Sequence, residues 1–305
     1  MKQIYLGDTL INDAFLGFDR MEDVLVPSYY DQDAQNFFNA TGITDPELRD
    51  AVNTFVTSLK TSNLWNKMDL IYPFVADNTA SLTSQFGYNL KNTSSFNPTL
   101  VNGVSGSDLN GYLADKSNRY INTNYNLVAV RGATGPTHVS IYTTSTAIST
   151  DNEEFGGFLS NTNNTTVATG RNPVGPNSEK FVGIGGANIV GGTGSYVAIT
   201  NLNEPGYLIG SYNVADTPKQ YGYFNGVNIM SGSAFRNVAV TSSFDGDAYF
   251  GAYNFGGSAV NGTNKRYQLL TIGAGLSQSE AGTLTTIVTA FQSNIDAVMG
   301  TSRSL

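Results

Sequence analysis

The chain has 305 residues, with 16 Lys and Arg against 24 Asp and Glu for a formal net charge of −8, and only 13% of it is charged, about half the roughly 25% usual in soluble domains. An acidic chain without a Lys/Arg stripe lacks the footprint that neutralises phosphates, which argues against nucleic-acid binding; zero cysteines and the single His138 exclude disulfide scaffolds, thiolate zinc sites, cysteine nucleophiles and multi-histidine metal sites. No run approaches the roughly 18 apolar residues of a membrane span, and Asp8 and Asp13 fall where a signal peptide would carry its apolar core, so the sequence predicts neither membrane insertion nor export by that route.

The first 27 residues repeat every ten. Ile4-Tyr5-Leu6-Gly7 aligns with Ala14-Phe15-Leu16-Gly17 and with Val24-Leu25-Val26-Pro27, Ile11 falls on Met21, and Asp13 on Asp23. Each copy is a strand-sized apolar piece closed by Gly or Pro, which predicts short β-strands joined by tight turns. A segment this short cannot bury its own apolar face. Ile4, Tyr5, Leu6, Gly7, Ile11, Phe15, Leu16, Gly17, Met21, Val24 and Leu25 are therefore the candidate assembly interface. Their strand edges could extend a neighbour's sheet or pair around a symmetry axis, which points to partner subunits and a homo-oligomer.

Residues 28–67 are read as a polar linker, anchored by Tyr29, Tyr30, Phe37 and Phe38, followed by one amphipathic helix over 45–60. Thr44-Asp45-Pro46-Glu47 has the form of a capping box, with Thr44 as the cap and Glu47 reaching back. Leu48, Val52, Phe55 and Leu59 continue the helical period.

From 68 to 275 the period becomes two. Val139-Ser140-Ile141-Tyr142-Thr143 and Tyr196-Val197-Ala198-Ile199-Thr200 alternate as strands do, and Asn225-Gly226 suits a two-residue hairpin turn with positive φ at both positions. Strands are also predicted at 237–242, 248–253 and 267–272. Many short strands with Gly/Asn turns predict an antiparallel sandwich or jelly roll. In 276–305, Ser277 and Glu280 form a second capping box, and Ala281, Leu284, Val288, Phe291, Ile295 and Val298 recur at three and four. The narrow stripe predicts a helix lying on the sandwich rather than a coiled coil.

Four stretches in this order resemble a known family: the Tyr-Leu-Gly-type repeats at 4–27; Thr41-Gly42-Ile43-Thr44-Asp45-Pro46 leading to the segment from Leu64-Trp65 to Phe74-Val75; the Asn225-Gly226 hairpin; and Thr271-Ile272-Gly273-Ala274-Gly275-Leu276-Ser277-Gln278-Ser279-Glu280-Ala281. The family is that of tailed-bacteriophage virion proteins carrying a concanavalin-like, laminin-G/pentraxin-type sandwich. The resemblance implies a mainly β fold with two flanking helices and an N-terminal β-repeat arm. It also implies a structural, virion-located role on the tail or head surface, with other virion proteins as partners and no catalytic residue. A glycan- or host-receptor-binding module is the alternative function, with host surface polysaccharide as its ligand; a polysaccharide depolymerase is the weaker one.

The individual sites are weighed against those functions. A glycoside hydrolase needs two carboxylates about 5 to 10 Å apart; Asp151 and Glu153 could share a strand face, but Phe155 follows where a third acid would stand. Asp245 and Asp247, at i and i+2, could meet a Ca²⁺ in a sandwich rim loop, but two carboxylates are too few to define a site and a plain turn is favoured; no other cofactor is expected. His138 stands without a readable nucleophile constellation and is read as structural. The glycine runs at 183–186 and 191–194 lack the following Lys-Ser/Thr of a phosphate loop. Tyr249 and Tyr253 are either half-buried strand filler or part of a sugar-stacking surface.

Overall fold

The computed structural model describes residues 4–6, 9–11, 30–77, 81–104, 111–115, 118–132, 136–144, 152–158, 167–172, 179–184, 199–200, 205–213, 220–228, 246–260 and 262–300. The chain divides into two compact units, Met1–Tyr30 and Asp31–Leu305. In the first, β1 (Ile4–Leu6) and β2 (Thr9–Ile11) pair antiparallel with Ile4 opposite Ile11. Two paired strands thus stand over the first repeat, β2 running one residue into the second. Gly7, Phe15, Leu16, Gly17, Met21, Val24 and Leu25 lie outside the described residues.

The second unit opens with α1 (Gln32–Thr41) and α2 (Pro46–Thr61), then a 3-10 turn at Trp65–Lys67, β3 (Met68–Tyr72), α3 (Leu82–Gln85), β4 (Thr99–Val101) and β5 (Tyr112–Leu113). It continues with β6 (Tyr120–Asn126), α4 (Leu127–Arg131), β7 (Thr137–Thr143), β8 (Asn152–Phe158), β9 (Val167–Asn172), β10 (Glu179–Ile184) and β11 (Ile199–Thr200). The last elements are β12 (Gly206–Tyr212), β13 (Gln220–Phe224), β14 (Val227–Asn228), β15 (Asp247–Phe250), β16 (Tyr253–Phe255), β17 (Ser258–Val260), β18 (Arg266–Gly273) and α5 (Gln278–Met299). One sheet runs β14-β13-β12-β7-β18-β3 with β5 beside β18; the other runs β11-β10-β9-β8-β15-β6-β4, with β16 and β17 attached through β8. Among the described strands every pairing is antiparallel except β16 with β8. The fold is a mainly β, antiparallel two-sheet sandwich flanked by helices, as the alternation predicts.

Alternate residues of the central strands build the core: Leu70 and Tyr72, Val139 and Ile141, Leu270 and Ile272 from the first sheet, and Ile121, Tyr125 and Phe250 from the second. Phe74 sits among them, its ring 5.7 Å from Phe86, 5.8 Å from Tyr112 and stacked at 5.8 Å on Phe250. All of β7 from Thr137 to Thr143 is buried. Both its faces are therefore covered, one by the second sheet and the other by the helical layer, where α5 lies against α2 and β12. Phe55 of α2 stacks on Phe291 of α5 with centroids 4.4 Å apart, a contact worth about 0.5–1.5 kcal/mol beyond its buried area.

Two expectations for the helical layer need correction. Within the stretch read as a linker, residues 31–42 form a helix: Asp31 caps α1 by accepting from the Asp33 amide at 3.0 Å, and Gly42 closes it at φ 73°. Ala34, Phe37, Phe38 and Thr41 are buried along one side of α1. In α2 the cap is Asp45, which accepts from the Leu48 amide at 2.9 Å. Pro46 in the first turn places the cap one residue before it, and the Thr44 amide instead donates to Asp77. The Ser277–Glu280 capping box of α5 forms as expected. So does the Asn225-Gly226 turn, with φ 48° and 80°.

Candidate recognition face and buried polar file

β6 alternates strictly, turning Ile121, Thr123 and Tyr125 into the core and leaving Tyr120, Asn122 and Asn124 more exposed on the outer face of the second sheet. In β15, Ala248 and Phe250 belong to the core cluster, so the pleat directs Asp247 and Tyr249 to the same outer face. The register sets Tyr249 opposite Asn122, and the Tyr120 and Tyr249 rings approach to 4.8 Å. Asn122 Nδ2 donates to Asp247 Oδ2 at 3.3 Å, and Asn124, at φ 51°, donates to the Asn97 carbonyl and Thr99 Oγ1. The Tyr249 hydroxyl donates to the Gly257 carbonyl at 3.1 Å, and the residue is only 8% exposed. Tyr249 is thus the floor under Tyr120 and not a free stacking surface. The face offers one ring, amides and a carboxylate, a set that can hydrogen-bond sugar hydroxyls but lacks an acid pair among the described residues.

His138 lies on the opposite side of the first sheet, fully buried. Its Nδ1 is 2.6 Å from the Ala274 carbonyl, which can only accept, so the proton is on Nδ1. Nε2 is left to accept from Thr271 Oγ1 at 3.2 Å; Thr271 in turn accepts from Ser140 at 2.6 Å, and Ser140 from the Tyr207 hydroxyl at 2.7 Å. Burial lowers the His138 pKa from 6.5 to about 4, outweighing the opposing pull of the Ala274 carbonyl and Asp69. Both ring nitrogens are engaged, so this histidine holds strands together, as the sequence suggests.

The other charged groups bridge elements. Asp69 of β3 receives the Tyr125 hydroxyl at 2.7 Å and Arg131 Nε at 2.6 Å. Lys60 of α2 reaches Asp31 and Asp33, both at 2.6 Å, while Lys60 and Lys91 place their ammonium groups 5.2 Å and 4.4 Å from the Trp65 ring centre. Of the acids singled out in the sequence, Glu153 is on β8 opposite Gly170 and Asp247 opens β15, whereas Asp151 and Asp245 lie outside the described residues. No group of three or more His, Asp or Glu side chains converges among the described residues. Sequence reasoning missed Tyr120 and Asn122; their signal was the alternation of Tyr120-Ile121-Asn122-Thr123-Asn124-Tyr125.

No protein-family model matches this chain, and no curated protein matches it. Solved structures similar to it include domain 4 of AbnA, a GH43 extracellular arabinanase from Geobacillus stearothermophilus in complex with arabinotriose, at 16% identity over 72% of this chain and 98% of that one, with a TM-score of 0.43. A mutant of Trypanosoma rangeli sialidase displaying trans-sialidase activity is similar at 9% identity over 79% of this chain and 39% of that one, TM-score 0.48. The binding domain of botulinum neurotoxin serotype D is similar at 13% identity over 74% and 52%, TM-score 0.43. At these identities the likeness concerns the sandwich architecture alone.

Proposed function

We propose that this protein is a non-enzymatic structural component of a bacteriophage particle, in which the helix-buttressed sandwich is displayed and the N-terminal repeats are gripped by another subunit. The observation that carries this reading is the division of the chain at Tyr30/Asp31. The smaller unit contains a pair of three-residue strands, β1 and β2, and so small a pair is marginal by itself in water. The repeat pattern and the family resemblance support a partner subunit as what covers it. Among the described residues, His138 is held at both nitrogens and Asp69 and Glu280 are each drawn into an ion pair, in keeping with the non-enzymatic reading. Imaging the particle at side-chain resolution tests the proposal. The segment 4–11 should contact a foreign subunit; an arm lying wholly on its own sandwich would reject the anchoring role.

Glycan recognition is the second reading, and the Tyr120–Asn122–Asp247 face favours it. Calorimetry of the whole chain with host surface polysaccharides should show binding that Tyr120→Ala weakens about tenfold, the order of one lost stacking contact. Binding unchanged by that substitution would remove this face as the site. Release of reducing sugar from the same polysaccharides would overturn the non-enzymatic assignment.

A further inference from the structure

We infer that the Tyr120–Asn122–Asp247 face selects a glycan bearing a protonated amino group, with the Asp247 carboxylate as the residue that chooses the cation; this rests on the glycan reading of that face. Asp247 differs from the other acids that bridge elements. Among the described residues, Asp31, Asp33, Asp69 and Glu280 are each in an ion pair with a Lys or Arg. Asp77 is taken up by the Thr44 and Asp45 amides and the Gln85 side chain. Among those same residues Asp247 forms no ion pair, and its one side-chain hydrogen bond is the one that Asn122 Nδ2 donates to Oδ2 at 3.3 Å. Its second oxygen is left as an open acceptor on a half-buried residue.

That acceptor is fixed in place before any ligand arrives. Asn122 Oδ1 accepts from the Asn124 amide at 2.9 Å, which holds the other end of the Asn122 amide toward Asp247. Asn254 Nδ2 donates to the Asp247 carbonyl at 2.7 Å, while Asn254 Oδ1 accepts from the Gly257 amide at 2.8 Å, so the backbone beneath the carboxylate is tied down as well. Asn124 takes a left-handed φ of 51°, a conformation asparagine tolerates better than most residues, and its side chain is pinned to the Asn97 carbonyl and Thr99 Oγ1. The β6–β15 register shifts at this point, an irregularity of the kind that re-aims side chains. Groups held this way lose little freedom when they bind.

Charge and spacing favour an ammonium over a hydroxyl or an acid. A charge-assisted bond from an ammonium to a carboxylate is roughly twice as strong as one from a neutral donor. Tyr120 stands two residues from Asn122 on the same face, about 7 Å along the strand, so a pyranose stacked on its ring sets a substituent near Asp247. The ring's negative π-face attracts a cation besides. The register puts Thr99 and Val101 of β4 opposite Asn122 and Tyr120, and these, with Asn122 and Asn124, are uncharged. An anionic sugar therefore meets no cation among the described residues of this face, and the chain's net charge of −8 repels it.

Calorimetry of the whole chain with a β-1,4-linked glucosamine tetramer and with its N-acetylated counterpart tests the inference, because the two share a backbone and differ in charge. At a mildly acid pH that keeps the amine protonated and the carboxylate ionised, the amine should bind roughly tenfold tighter, by a margin that shrinks with added salt. Asp247→Asn, which can still accept from Asn122, should abolish the margin and leave the N-acetylated affinity unchanged. Asp50→Asn, on the exposed side of α2, removes the same charge elsewhere and should change neither. Equal affinity for the two tetramers, both weakened by Tyr120→Ala, would overturn the amine preference and leave the glycan reading intact. Equal loss of amine binding in Asp247→Asn and Asp50→Asn would reduce it to bulk charge and overturn it. Binding of neither tetramer would also overturn it, and host polysaccharide binding sensitive to Tyr120→Ala then decides whether the glycan reading falls too. If Asp247→Asn does not fold, the amine-to-acetyl ratio and its salt dependence, compared between the unaltered chain and Asp50→Asn, decide alone.

Discussion

At Gly273 the chain passes so close to the Lys67 backbone that a Cβ would overlap the Lys67 carbonyl oxygen and lie 2.8 Å from its carbon. The obstacle is backbone and cannot swing away. Gly273→Ala should lower stability by about 1–3 kcal/mol, the range for forced overpacking, in chemical denaturation; a change under about 0.5 kcal/mol would contradict the packing described. The same junction shows what single residues in a sequence can and cannot disclose. His138 reads as structural because no nucleophile pattern surrounds it. Its partners Thr271 and Ala274 stand 133 and 136 positions away, and no local spacing encodes a pairing that only the β7–β18 register creates.

Periodicity carries well at the scale of elements. β7, β18, the β13–β14 hairpin, α2 and the boxed start of α5 all fall where alternation, turn chemistry or capping residues place them. α1 escaped because its polar residues suggest a linker, although Ala34, Phe37, Phe38 and Thr41 lie three and four apart and Gly42 closes the helix. The strand expected over 248–253 breaks at Gly251, φ 79°, into β15 and β16; those over 237–242 and at 196–198 fall outside the described residues. One local choice in α5 works against its packing. Gln292 is fully buried, and among the described residues neither its Oε1 nor its Nε2 has a hydrogen-bond partner. Replacing that amide by a side chain of similar length removes an unmet desolvation penalty of about 1–3 kcal/mol. Gln292→Met should therefore raise the denaturation midpoint, and a lower midpoint would show that the amide is satisfied.

For the whole molecule, the antiparallel sandwich was legible, but its strand order was not. β3 pairs with β18 and β6 with β15, contacts between distant parts of the chain that depend on how two sheets close on one aromatic core rather than on any segment's composition. The outer face bearing Tyr120 and Asp247 exists only because those strands become neighbours. The division at Tyr30/Asp31 falls close to the end of the decapeptide repeats, and the proposed attachment rests on that arrangement. Its most direct test is deletion of residues 1–30 from the protein expressed during particle assembly. The account predicts a soluble remainder with an unaltered thermal unfolding profile and no incorporation into particles. Incorporation at the level of the full-length chain would contradict it.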